Sequence, residues 1–130
     1  MPSREDWEQA RQWAIRAVEQ ILPSPDVEGE PFWALMELQH GEVTGNYWAY
    51  RTGGDLLLPL FRSRADAARC LSSIPDRNRF AVRGITRGHL AFLRRLASWQ
   101  GVVLVVATQF ADGGRFEAVP LQAYEAWGPP

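Results

Sequence analysis

The stretch LASWQGVVLVVATQF, Leu96–Phe110, decides the fold. Its first half has helical spacing, and Gly101 is a natural helix stop. Its second half, Val102–Ala107, is a continuous β-branched run with no polar side chain. Such a strand must be covered on both faces. The run therefore predicts a strand in the middle of a sheet, with helices packed over it.

Upstream, TRGHLAFLRRLASW reads as a helix capped by Thr86. Leu90, Leu93, Leu96 and Ala97 point one way. RFAVRGI, before it, reads as a strand over Arg79–Ile85. SRADAARCLSSI reads as a short helix, with Ser63 and Asp66 arranged as a capping box and Pro75 ending it. From Phe32 to Phe61 the chain alternates. FWALMEL, YWAYR and LLLPLF suggest an antiparallel three-strand meander, with turns at QHGEVTGN and TGGD. Pro59 limits its strand to an edge, an end or a bulge. Downstream, ADGG is a turn, RFEAV a strand and PLQAYEAW a closing helix.

At the front, Trp7, Ala10, Ala14, Val18 and Ile21 fall on one side of a helix over 3–22 that Ser3 can cap. PSPDVEGEP, residues 23–31, interrupts it as a connector. Residues 32–127 form the body and 128–130 a short tail. The expected architecture is one α+β domain over 1–130. Its single mixed, mainly antiparallel sheet has five to six strands, in the order α-β-β-β-α-β-α-β-β-α.

The composition bounds function. The chain has 130 residues, 46% of them hydrophobic and 22% charged, which suits one domain with a substantial core. A net charge of −1 gives no overall attraction to nucleic acid or anionic membrane. That charge is uneven: residues 1–55 hold ten acids and four arginines, residues 56–130 five acids and ten arginines. Cys70 is alone, so an internal disulfide is excluded; MPSREDWEQA carries no hydrophobic signal core. Both features point to the cytoplasm. No apolar run approaches the roughly 20 residues a membrane helix needs.

Candidate chemistry is sparse. His89 sits at the third position of its helix, where the helix N-terminus disfavours the imidazolium; the bland expectation is a buried histidine bonded to a backbone group. His40, His89 and Cys70 lack metal-ligand spacing, so no metal and no cofactor is expected. Arg77, Arg79, Arg83, Arg87, Arg94 and Arg95 form a basic stretch, with Arg79 and Arg83 on one side of a strand. The aromatic strands place Trp48 and Tyr50 on one side, Tyr47 and Arg51 on the other. Tyrosine, tryptophan and arginine are interface anchors.

LLLPLFRSRADAARCL, Leu56–Leu71, adds a resemblance. A strand ending Leu-Pro-Leu-Phe, then serine and an alanine-rich helix, is similar to small bacterial SseB-like domains and related families of unknown function. Phe32-Trp33-Ala34-Leu35 matches their W-A-L strand, and Arg79–Val106 their strand, helix and G-V-x-V strand. The resemblance covers about residues 32–118. It implies a compact α/β domain with no established catalytic residues.

The expected function is a non-catalytic binding module whose partner is another protein or a second copy. Tyr47, Trp48, Tyr50, Arg51, Arg83, Arg87 and His89 are the candidate contact residues. One alternative is a small-ligand or anion-binding enzyme with a pocket near His89. Another is a nucleic-acid accessory protein acting through Arg77–Arg95.

Overall fold

A computed structural model describes residues 25–127. The expected helix over 3–22, the first residues of the connector and the tail lie outside the described residues.

Within them the chain is α+β, with a mixed sheet of seven strands and three helices. The strands are β1 (Phe32–Gln39), β2 (Glu42–Tyr47), β3 (Tyr50–Thr52), β4 (Asp55–Phe61), β5 (Phe80–Ile85), β6 (Val102–Phe110) and β7 (Phe116–Pro120). The helices are α1 (Arg64–Ser73), α2 (Arg87–Gln100) and α3 (Leu121–Trp127). β6 lies between β4, its parallel neighbour, and antiparallel β7. All other pairings are antiparallel. The valine run is therefore internal, and Leu104–Ala107 are all buried.

The strand count and order need correction between Phe32 and Phe61, where four strands replace the expected three. His40 and Gly41 adopt positive φ (54° and 79°) and close a tight turn two residues into QHGEVTGN. The rest of that segment then pairs with β1 as β2. YWAYR is not one strand: Tyr47 ends β2, Tyr50 begins β3, and Trp48–Ala49 turns the chain between them. Pairing of β2 with β1 and of β3 with β4 overrides the aromatic continuity.

Pro59 is buried inside the sheet, opposite Val105 of β6. On its other side, β4 pairs with β3 only as far as Leu57 and meets β1 again only at Phe61. Pro59 lies in that gap, where β4 lacks a ladder partner and a missing N–H costs nothing.

Both long helices start as their sequences dictate. The Ser63 hydroxyl accepts from the Asp66 N–H at 3.0 Å, and the Thr86 hydroxyl from the His89 N–H at 3.2 Å. α2 ends at Gly101, left-handed at φ 69°. Strand alternation then sorts the core into two layers. Ala34, Met36, Leu58, Leu60 and Val106 pack beneath Leu90, Leu93 and Ala97 of α2 and Leu121 of α3. Leu35, Phe61 and Ala107 pack beneath Ala67 and Cys70 of α1, with Ile74 just after it. Burial of each such leucine or phenylalanine contributes about 1.5–3 kcal/mol.

β5 begins at Phe80. Arg77–Arg79 form a 3-10 turn, so Arg79 does not share a strand with Arg83. Across β5, the connector backbone at Val27–Gly29 lies against Gly84 so closely that a Cβ there would overlap it. The Glu30 N–H donates to the Ile85 carbonyl at 3.0 Å.

Candidate functional site

The aromatic strands divide their side chains between the two faces of the sheet. On the α1 face, Trp48 stacks on Tyr50 with ring centroids 5.6 Å apart. Tyr50 meets Phe116 edge-on at 5.5 Å, and Phe116 in turn contacts Phe110 and the buried Phe61. The Arg69 guanidinium of α1 lies 5.8 Å from the Phe110 ring centre. Trp48, Tyr50, Phe110 and Phe116 are each only partly buried. They form a continuous aromatic strip along the part of the sheet beside α1.

Tyr47, one residue before this strip, faces the opposite way. Its hydroxyl is 2.6 Å from His89 Nε2. His89 is 3% exposed, and burial lowers its pKa to about 4. It is therefore neutral at pH 7, and a single hydrogen fills the bond, carried by the tyrosine oxygen or by Nε2 according to the tautomer. Burial also raises the Tyr47 pKa. The partner of His89 is thus a hydroxyl on β2, not the backbone group expected. Its Nδ1 has no hydrogen-bond partner among the described residues.

Next to Tyr47 is a cleft of about 440 Å³. One wall is β2 from Thr44 to Tyr47; the other is α2 at Leu93, Leu96, Ala97 and Gln100. Leu56 and Leu58 of β4 and Val102 of β6 lie between them. Glu37 also lines the cleft. Its Oε1 accepts from the Thr44 hydroxyl at 3.2 Å and from the Asn46 amide at 3.3 Å. Arg79 approaches its other oxygen only to 3.8 Å.

The seven candidate residues do not converge. Trp48 and Tyr50 join the aromatic strip; Tyr47 and His89 pair on the α2 face. Arg51 is exposed on β3. Arg83 is partly buried on β5 and donates to the Val82 carbonyl. Arg87 is 82% exposed and lies 3.9 Å from Glu30. His89 is not among the residues lining the cleft beside its partner. Cys70 is buried, its thiol pKa pushed up to about 11 by burial, which leaves it a poor nucleophile. Among the described residues no three His, Cys, Asp or Glu side chains group as metal ligands. No described helix is long and apolar enough to cross a membrane.

Sequence reasoning missed the cleft, Phe110 and Phe116. Phe110 and Phe116 have a legible signal, since each borders a predicted strand beside the ADGG turn. The cleft has none, because it arises from the break between β2 and β3. No family model matches the chain, and no curated protein or solved structure matches it either.

Proposed function

We propose that this chain is a non-catalytic protein-binding module that contacts its partner through the strip Trp48–Tyr50–Phe116–Phe110. The observation that carries the reading is the strip itself. Four aromatic rings in mutual contact are left partly exposed, with the Arg69 cation at their end. Rigid aromatic surface beside arginine is what interface centres are made of. The partner that fits presents apolar side chains fringed by carboxylates. The resemblance of about residues 32–118 to SseB-like domains implies no catalytic residues, and a binding role is in keeping with that expectation.

The polar groups favour this reading over the alternatives. An acid–base function for His89 would require it to reach a substrate, but its ring is buried and tied to Tyr47. In the basic stretch, Arg79, Arg87 and Arg94 each lie within 4 Å of an acid: Glu37, Glu30 and Glu125. That lowers the phosphate affinity a nucleic-acid binder needs.

The test pairs sedimentation equilibrium with affinity capture at low salt, using wild type and Trp48→Ala. A captured protein that is lost with Trp48→Ala, at unchanged circular dichroism, supports the proposal. A mass that rises with concentration and falls back with Trp48→Ala makes the partner a second copy. Capture that persists in the variant overturns the strip as the contact.

A further inference from the structure

The cleft between β2 and α2 is separate from the aromatic strip and does not depend on it. We infer that it binds an extended segment of a partner polypeptide, which adds as a strand along β2 and lays apolar side chains on the leucine floor.

The backbone comes first. Among the described residues β2 pairs only with β1, and none of them bonds along its other edge. The Trp48 N–H donates to the Leu35 carbonyl on β1. Strand alternation then turns the N–H and C=O of its neighbour Tyr47 away from β1, to the open side. An open edge is a template for another extended chain. The Thr44 and Asn46 side chains both bond Glu37, and the Thr44 hydroxyl also accepts from the Asn46 N–H at 3.2 Å, so Tyr47 is the main-chain position left to a partner.

The surroundings select what can lie there. An edge strand facing a helix across an apolar floor suits strand addition: main-chain bonds supply affinity, and alternate side chains enter the groove. Leu56, Leu58 and Val102 provide that floor, and Leu96 of α2 the facing wall. The volume of about 440 Å³ accommodates a few side chains. Charge fixes one more requirement. Among the described residues Glu37 is the only Asp, Glu, Lys or Arg lining the cleft, and among them only Arg79 approaches its Oε2, at 3.8 Å. A lysine or arginine in the segment complements it, and a carboxylate at that position is rejected.

The probe is a phage-displayed random nonapeptide library panned on the full chain, with recovered sequences then synthesised. Recovered peptides are expected to alternate apolar residues and to carry one basic residue. Their titration should shift the amide resonances of Gly45–Tyr47. Affinity should fall about tenfold or more in Leu96→Trp, which fills the groove. It should fall less in Glu37→Gln, and should collapse when the central peptide nitrogen is methylated. Gln100→Trp, at an exposed position on the same wall, replaces Leu96→Trp if that variant does not fold. Trp48→Ala should leave binding unchanged, which separates this site from the strip. The inference is overturned if no peptide is recovered. It is equally overturned if binding survives both groove-filling variants, tolerates N-methylation, or is lost with Trp48→Ala.

Discussion

On the α2 face the sheet meets its helices mainly through aliphatic side chains, Leu58, Leu60 and Val106 against Leu90, Leu93 and Leu121, with one ring pair, Phe32 on Tyr124 of α3. On the α1 face the middle of the core is a ring cluster, with Phe61 against Phe110 and Phe116. The covers differ as well. α2 has 14 residues and a Thr86 cap; α1 has 10 and a Ser63 cap. Beside the longer helix the break between β2 and β3 leaves a cleft, whereas beside the shorter one rings cover the remaining sheet. Where a helix stops short of a sheet, large planar side chains can finish the layer. They stay half wet in doing so, and so remain available to a partner.

The sharpest way to break this contrast is to truncate its two centres. Phe61→Ala should cost about 3–5 kcal/mol and Leu60→Ala about 2–5 kcal/mol, both read by urea denaturation. Both residues are fully buried. The ring contacts of Phe61 predict the larger loss, and equal losses would erase the distinction between the layers.

The second test is acid titration, which strikes the α2 face through His89. Its folded pKa of about 4 lies below the ordinary 6.5. Between those values the unfolded chain takes up a proton that the folded chain does not, so stability falls as pH drops from 6.5 to 4. The fall attributable to this group reaches roughly 3 kcal/mol. Comparing wild type with His89→Leu isolates it: the difference in stability between them should shift across that window and level off below it. Tyr47→Phe, which leaves the buried His89 Nε2 without its hydroxyl partner, should cost about 1–3 kcal/mol at pH 7.

Smaller effects compare the covers themselves. Thr86→Ala and Ser63→Ala should each cost about 1 kcal/mol in thermal unfolding, since both caps hold one helical N–H. Last comes Arg94→Ala. Its ion pair with Glu125 joins α2 to α3, with both side chains more than 40% exposed. A loss of under about 1 kcal/mol, further reduced by salt, is expected in the same assay.

How much of this was legible in the sequence follows the length of the interactions. Local rules located Ser63, Thr86 and Gly101 and the helices they bound. The valine run revealed an internal strand, because burial on both faces leaves a compositional mark, but not its position: β6 lies one strand in from the edge strand β7 and not at the middle of the sheet. The meander misled because YWAYR has uniform strand propensity. Only pairing partners outside the stretch, Met36 of β1 for Tyr47 and Leu57 of β4 for Tyr50, decide where it breaks. The site followed the same division. Trp48 beside Tyr50 was readable from alternation, whereas Tyr47 joined to His89 spans 42 positions and has no local signature.

The close approach at Gly84 makes a single hydrogen atom a condition of how the chain enters its sheet. A Cβ there would stand off the sheet face and run into the Val27 carbonyl and the Gly29 nitrogen. With only hydrogen in that place, the connector lies flat against β5 and the Glu30 N–H reaches the Ile85 carbonyl just ahead of β1. Gly84→Ala would lift that backbone away and should lower the melting temperature.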